Sequence, residues 1–328
     1  MDYESFLAEW HDDNPRLLVH TSGSTGNPRP LWVEKHRMEA SARATCSFLN
    51  LKAGDTALLC MSLDYIAGKM MVVRALTCGL RLILAEPSGH PLAHSTVAID
   101  FAAMVPLQVY NTLQVPEERE RLLRIRHLII GGGAVDDRLA SELRTFPNAV
   151  WSTYGMTETL SHIALRRLNG SGASSWYTPF EGVSLSLSAD GCLVIDAPQV
   201  CDGPLVTNDI AELASDGRFR IIGRRDNTIC TGGVKVQAES VEDSLRRHLT
   251  SPFCITKRTD EKFGEVVVLL TESPDASAVA TLCHRVLPKF WQPRQVVSVE
   301  RIPLTATGKI ARSEAMRLAE NTKLRVDS

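Results

Sequence analysis

Short apolar runs alternate with longer amphipathic stretches through the first two-thirds of the chain, and this restricts the fold more than any other feature. Runs at 17–20, 56–61, 80–85, 127–130 and 148–153 read as strands, while 39–49, 68–77, 117–126 and 137–144 carry helical spacing. Such alternation builds an α/β domain around a largely parallel sheet. After about residue 180 the pattern changes. Leu185-Ser186-Leu187 and Cys192-Leu193-Val194-Ile195 flank the turn signal Ala189-Asp190-Gly191, which predicts hairpins in a β-rich subdomain over about 180–225. Beyond Asp226 a compact α+β pattern follows, with helices near 239–249 and 276–287 and strands at 265–270 and 295–299. The expected organisation is a large N-terminal α/β domain over 1–225 and a small C-terminal α+β domain over 226–328, within the reach of a chain of 328 residues.

Composition narrows the function classes. A formal net charge of −2 leaves no electrostatic footprint for nucleic acid, and Arg119-Glu120-Arg121 alternates in sign as a solvated helix face does. The start, Met1-Asp2-Tyr3-Glu4, has neither the basic region nor the apolar region of a signal peptide, and no apolar run reaches the length of a membrane span. Eight cysteines include no Cys-x-x-Cys pair, and several stand inside apolar runs, so a reduced, cytoplasmic protein without membrane insertion is expected. His90 and His94 have metal-ligand spacing, but Pro91 follows the first and no third ligand is near.

Five stretches carry candidate chemistry. In His20-Thr21-Ser22-Gly23-Ser24-Thr25-Gly26-Asn27-Pro28-Arg29, hydroxyls and two glycines can turn donors toward one anion, with Arg29 adding charge. It lacks the Gly-Lys-Ser/Thr of a Walker loop, and a polar surface turn is the competing reading. Tyr154-Gly155-Met156-Thr157-Glu158 follows an expected strand, where α/β proteins place ligands; Thr157 suits a phosphate and Glu158 a Mg²⁺ ion, against an ordinary Tyr-Gly turn. Asp209 closes Val206-Thr207-Asn208-Asp209 and suits ribose hydroxyls, against an Asx turn. Arg224-Arg225-Asp226, followed by Thr231-Gly232-Gly233, falls at the domain boundary, as a hinge or a charged linker. Lys309, in Thr307-Gly308-Lys309-Ile310, is placed to reach an anion from a mobile domain, although most terminal lysines do no such thing.

Taken in order, these stretches resemble the adenylate-forming superfamily of acyl-CoA synthetases, adenylation domains and luciferases. The resemblance spans nearly the whole chain. It implies that Thr21, Ser22, Gly23, Ser24, Thr25, Gly26 and Arg29 form a phosphate loop and that Gly132, Gly133 and Ala134 lie beside adenine. Tyr154, Thr157, Asp209 and Arg224 would hold the nucleotide, and Glu158 its Mg²⁺. Lys309 would stabilise charge in acyl-adenylate formation, Asp226 would act as hinge, and Gly232-Gly233 would approach the thiol of coenzyme A. ATP, Mg²⁺, coenzyme A and a small carboxylic acid are the implied ligands.

Two departures stand out: Arg29 replaces the family's usual loop lysine, and Pro30 replaces a glycine. The phosphate loop also begins at residue 21, so the long N-terminal portion of most relatives is not expected here. Compact chains of this kind resemble o-succinylbenzoate–CoA ligases of menaquinone biosynthesis. That acid carries a second carboxylate, whose burial demands a cation or several donors. Lys69, Ser161 and His162 are the candidates, with Tyr65 beside the acyl pocket; Lys69 on an amphipathic helix also fits an outward-facing lysine. Ligation of another aromatic or fatty acid, loading of a carrier protein, and an inactive nucleotide-binding regulator are the alternatives. Glu158 and Lys309 speak against the last.

Overall fold

The computed structural model describes residues 1–20, 30–133, 135, 137–305 and 310–322. In chain order the first part runs α1 (Tyr3–His11), β1 (Arg16–His20), β2 (Pro30–Glu34), α2 (Lys35–Phe48), β3 (Thr56–Leu59), α3 (Ile66–Cys78), β4 (Arg81–Leu84), β5 (Phe101–Met104), α4 (Pro106–Leu113), α5 (Pro116–Arg124), β6 (His127–Ile130), α6 (Asp137–Leu143), β7 (Ala149–Gly155), β8 (His162–Arg167) and β9 (Thr178–Pro179). Then come β10 (Ser184–Leu187), β11 (Cys192–Asp196), β12 (Leu205–Leu213) and β13 (Phe219–Arg224). The last part holds β14 (Thr228–Thr231), β15 (Val234–Gln237), α7 (Ala238–Leu245), β16 (Phe253–Asp260), β17 (Gly264–Thr271), α8 (Ala276–Val286), β18 (Gln295–Ser298) and α9 (Arg312–Asn321).

The expected parallel sheet forms. Seven strands order β4-β3-β5-β6-β7-β8-β9, the first five parallel and the last two antiparallel. Its central strands are buried on both faces, because side chains alternate across a strand. Ala57, Leu59, Phe101 and Ile129 join a core with Met38, Met70 and Val73 of α2 and α3. Leu58, Ala102, Met104 and Leu128 join a second core with Val109, Leu122 and Leu139 of α4, α5 and α6. Beside this sheet β1 and β2 form an antiparallel ladder from Arg16↔Glu34 to His20↔Pro30.

β10 to β13 make a four-stranded sheet in sequence order, the expected β-rich segment. A five-stranded sheet, β15-β14-β17-β16 with β18 on β17, organises the C-terminal part. Ile255, Val267 and Leu269 pack with α7 and α8, and Cys254, Val268 and Leu270 with α9. A bidentate ion pair fastens α9: Arg312 donates to both carboxylate oxygens of buried Glu242, at 2.7 and 2.9 Å, and to the Ile255 carbonyl. By contact the chain divides into two compact units, Met1–Ser186 with Val194–Leu205 and Leu213–Arg220, and Leu187–Leu193 with Val206–Glu212 and Ile221–Ser328.

Candidate functional site

Several of the nominated residues in the first unit stand at the carboxyl ends of the parallel strands, where open α/β sheets bind ligands. Gly131, Gly132 and Gly133 follow β6. A Cβ on Gly131 would meet Thr153 Oγ1 of β7 at 2.5 Å, so that side chain would have to shift, and Gly132 takes a φ of 75°, which favours glycine. β7 ends on Tyr154 and Gly155. The Tyr154 ring packs 5.0 Å from Phe219 and 5.8 Å from Tyr177, centroid to centroid. A Cβ on Gly155 would fall 2.3 Å from the Ser161 carbonyl oxygen. That close approach lets the chain double back through a 3₁₀ turn, Thr157–Thr159, into β8.

Thr159 ties this turn together: its Oγ1 accepts from the Met156 amide at 3.0 Å and lies 2.7 Å from the Ser161 carbonyl. Leu160 follows with a φ of 64°, a left-handed conformation uncommon outside glycine and held here by its burial and by the tied turn. Within this frame Thr157 is buried and Glu158 is exposed. Among the described residues no group of three or more His, Cys, Asp or Glu could hold a metal ion. One exposed carboxylate fits Mg²⁺ nonetheless, since that ion is usually held by one or two carboxylates together with substrate phosphates and waters.

The residues nominated for the acid occupy distinct settings. Tyr65 caps the start of α3 and is exposed. Lys69 does not face outward: it is buried, donates from Nζ to the Leu18 carbonyl at 3.0 Å and lies 3.9 Å from Glu9. Burial pushes its pKa down, against the opposing charges of Glu9 and Asp64. His162 is buried on β8, and burial, then the neighbouring Arg74 charge, holds it well below its ordinary pKa and therefore neutral. It borders a cavity of about 20 Å³, also lined by Ser41, Phe180 and Gln199, which has room for one water but not for an acid.

Hydrogen bonds fix the direction of protons around His162. Thr45 Oγ1 donates to the Ser41 carbonyl at 3.1 Å, so toward His162 Nε2, also at 3.1 Å, it accepts. Nε2 therefore carries the proton and Nδ1 the lone pair, and the Ser161 hydroxyl, 3.2 Å away, donates to Nδ1. Ser161 Oγ is left to accept from Arg74, at 2.7 Å.

Arg74 is a candidate that the sequence reading did not name. It lies mid-way along α3, 2% exposed, and no carboxylate among the described residues pairs with it. Its Nε has no hydrogen-bond partner among the described residues, and burial lowers its pKa to about 10, which still leaves it cationic at neutral pH. A signal was present. Met70-Met71-Val72-Val73-Arg74-Ala75-Leu76 sets one arginine in an apolar run, and buried charge is costly unless something pairs with it.

In the second unit three nominated residues come into direct contact. Arg224 bonds Asp209 Oδ1 at 3.1 Å and Asp226 Oδ2 at 3.2 Å, and Asn208 reaches the same Asp226 oxygen at 3.4 Å. Asp209 is buried on β12, whereas Asp226 is exposed in the 3₁₀ turn Arg225–Asn227. Gly232 and Gly233, at φ 57° and 82°, make the two-residue turn between β14 and β15. Thr21, Ser22, Gly23, Ser24, Thr25, Gly26, Arg29, Ala134 and Lys309 lie outside the described residues.

With this geometry in hand, the comparisons with known proteins are specific. The family described as AMP-binding enzyme matches residues 4–188. A solved acyl-CoA synthetase (AMP-forming)/AMP-acid ligase II-like protein from Dyadobacter fermentans is 32% identical, with a TM-score of 0.66, over 96% of this chain and 92% of that one. The chain belongs to the AMP-binding enzyme family, as its motifs led one to expect. A 2-succinylbenzoate–CoA ligase of Bacillus thuringiensis is 24% identical over 92% of this chain and 70% of the relative. The O-succinylbenzoate coenzyme A synthetase of Bacillus subtilis, solved with ATP and magnesium, superposes with a TM-score of 0.76 at 23% identity, over 90% of this chain and 69% of that one, and so shares the fold.

Proposed function

We propose that the protein is an ATP-dependent acid–CoA ligase that works through an acyl-adenylate, acting in the cytoplasm on o-succinylbenzoate for menaquinone biosynthesis. The substrate carboxylate attacks the α-phosphorus of ATP, and pyrophosphate leaves as the new P–O bond forms. Lys309 stabilises the charge that develops between the carboxylate and that phosphate. The residues from 226 onward then rotate about Asp226, withdrawing Lys309 and bringing Gly232-Gly233 to the thiol. The sulfur of coenzyme A attacks the acyl carbon, its proton is lost, and AMP departs. Thr157 and the loop from Thr21 to Arg29 hold phosphates, Asp209 the ribose with Arg224 assisting, and Tyr154 and Gly132-Gly133-Ala134 flank the base. Mg²⁺, held at Glu158, would supply charge neutralisation on the ATP phosphates.

The observation that carries the choice of acid is the buried Arg74 guanidinium without a carboxylate partner among the described residues, oriented by Ser161. An acid with a second, unactivated carboxylate would complete that pairing, and the similarity to enzymes named as 2-succinylbenzoate–CoA ligases points the same way. On this reading Ser161 and His162 aim Arg74 rather than bind the acid through charge.

Thioester formation tests the assignment. Purified protein with MgATP and coenzyme A is offered o-succinylbenzoate, benzoate and a medium-chain fatty acid, and acyl-CoA and AMP are followed by mass. Strong preference for o-succinylbenzoate is expected. Turnover of the other acids only would overturn the choice of acid, and AMP without thioester would redirect the second step to a carrier protein.

A further inference from the structure

The mechanism leaves unused a pair of thiols where α2 packs against α3. Cys78 is the last residue of α3, before the left-handed Gly79, and is partly exposed; Cys46 on α2 is 4% exposed. Cys78 Sγ lies 3.9 Å from the carbonyl oxygen of Ala42. In an α-helix that carbonyl faces the amide of the residue four positions on, here Cys46. Cys78 Sγ therefore sits over the turn of α2 that carries Cys46. Arg74 stands one turn before Cys78 on the same face of α3, and both sulfurs feel its charge.

The surroundings make the pair unequal. The neighbouring Cys46 thiol, then the charges of Arg74 and Arg43, hold the Cys78 thiol down against the effect of burial. The Cys46 thiol is pushed up. Burial also pushes up Cys60, Cys201, Cys254 and Cys283, whereas Cys78 is held down and is the member of the pair that solvent reaches. An accessible thiolate beside a resolving cysteine is the arrangement that peroxides oxidise selectively.

We propose that Cys46 and Cys78 are an oxidisable dithiol, with Cys78 as the sulfur attacked by peroxide and Cys46 as the resolving thiol. The Cys78 thiolate attacks one oxygen of a hydroperoxide, the O–O bond breaks, and the other oxygen leaves with a proton as water or an alcohol. Cys78 is then a sulfenic acid. The Cys46 sulfur attacks it, the S–O bond breaks, water leaves with the Cys46 proton, and a disulfide remains. The dithiol has lost two electrons and the peroxide has gained them. The product would tie the last turn of α3, one turn beyond Arg74, to α2.

The test is peptide mapping of the full chain after treatment with hydrogen peroxide and alkylation of remaining thiols under denaturing conditions. Before exposed Cys230 is oxidised, free thiols should fall by two of the eight, with a single linked pair, 46 to 78, lighter by two hydrogens and restored by dithiothreitol. In Cys46→Ala, Cys78 should be captured by dimedone as the sulfenic acid; in Cys78→Ala no link should form. Alkylation of both Cys46 and Cys78 after exposed Cys230 has been oxidised would overturn the proposal, as would a link from Cys78 to any other cysteine. The wild-type map decides the matter even if a variant fails to fold.

Discussion

Arg74 and His162 divide labour through their protonation states. Arg74 keeps its charge while buried, and His162 gives its charge up, because only a neutral Nδ1 accepts the Ser161 proton that aims the serine oxygen at Arg74. Replacing Arg74 with Gln should remove a charge-assisted hydrogen bond of about 1.5–3 kcal/mol, and so raise KM for o-succinylbenzoate about tenfold to a hundredfold. KM for ATP should move little, and steady-state kinetics with each substrate varied would expose an equal rise in both. His162 also makes stability depend on pH. Its folded pKa lies below the unfolded value of about 6.5, so below that pH the unfolded chain binds the extra proton. Its contribution is present in full above about pH 6.5 and shrinks as pH falls, by up to ~1.4 kcal/mol per pH unit. His162→Asn should therefore flatten the fall in Tm between neutral and mildly acidic pH, and parallel curves for the two proteins would refute this.

At the scale of elements, the turn from β7 into β8 depends on a glycine that no periodicity explains. Gly155→Ala would press a methyl group against the Ser161 carbonyl and the His162 Cα, at 2.3 and 2.4 Å. Backbone must move, at about 1–3 kcal/mol, carrying Thr157, Glu158 and Ser161 with it. We expect a loss of adenylation rate approaching a hundredfold with a lower denaturation midpoint, read from pyrophosphate release and urea unfolding. Wild-type values for both would show that the strands tolerate the contact. Element legibility followed side-chain chemistry. β3, β4, β6 and β7 read plainly as short apolar runs between turn signals. β5 does not: Phe-Ala-Ala-Met has no β-branched residue, and it is a strand because β3 and β6 pair with it on either side. α3 is legible as a helix, yet which way its single arginine points is settled by the packing of α2 and β8 around it.

For the whole molecule, a two-step ligation with one mobile domain predicts that the half-reactions can be separated. Lys309→Ala should abolish acyl-adenylate formation and spare thioester formation from supplied acyl-adenylate. Loss of both steps to the same extent would remove Lys309 from its proposed role. Asp226→Pro fixes one backbone angle at the proposed hinge and removes its contact with Arg224, so it should depress one half-reaction much more than the other. Single-turnover measurements of each step distinguish the cases.

By itself the sequence determined the α/β class, several strands and helices of the first part, and the family, and it nominated the candidates for the nucleotide site. Those properties follow from local chemistry: apolar period, turn residues, and hydroxyl, glycine and carboxylate groups at short spacing. Only the tertiary structure decided that Lys69 turns inward to a backbone carbonyl, that His162 is neutral, that Arg74 bonds Ser161, and that Cys78 packs on the turn of α2 that carries Cys46. Each of those outcomes depends on groups far apart in the chain and on the water that packing removes, and neither separation in space nor local dielectric is written in a spacing of residues.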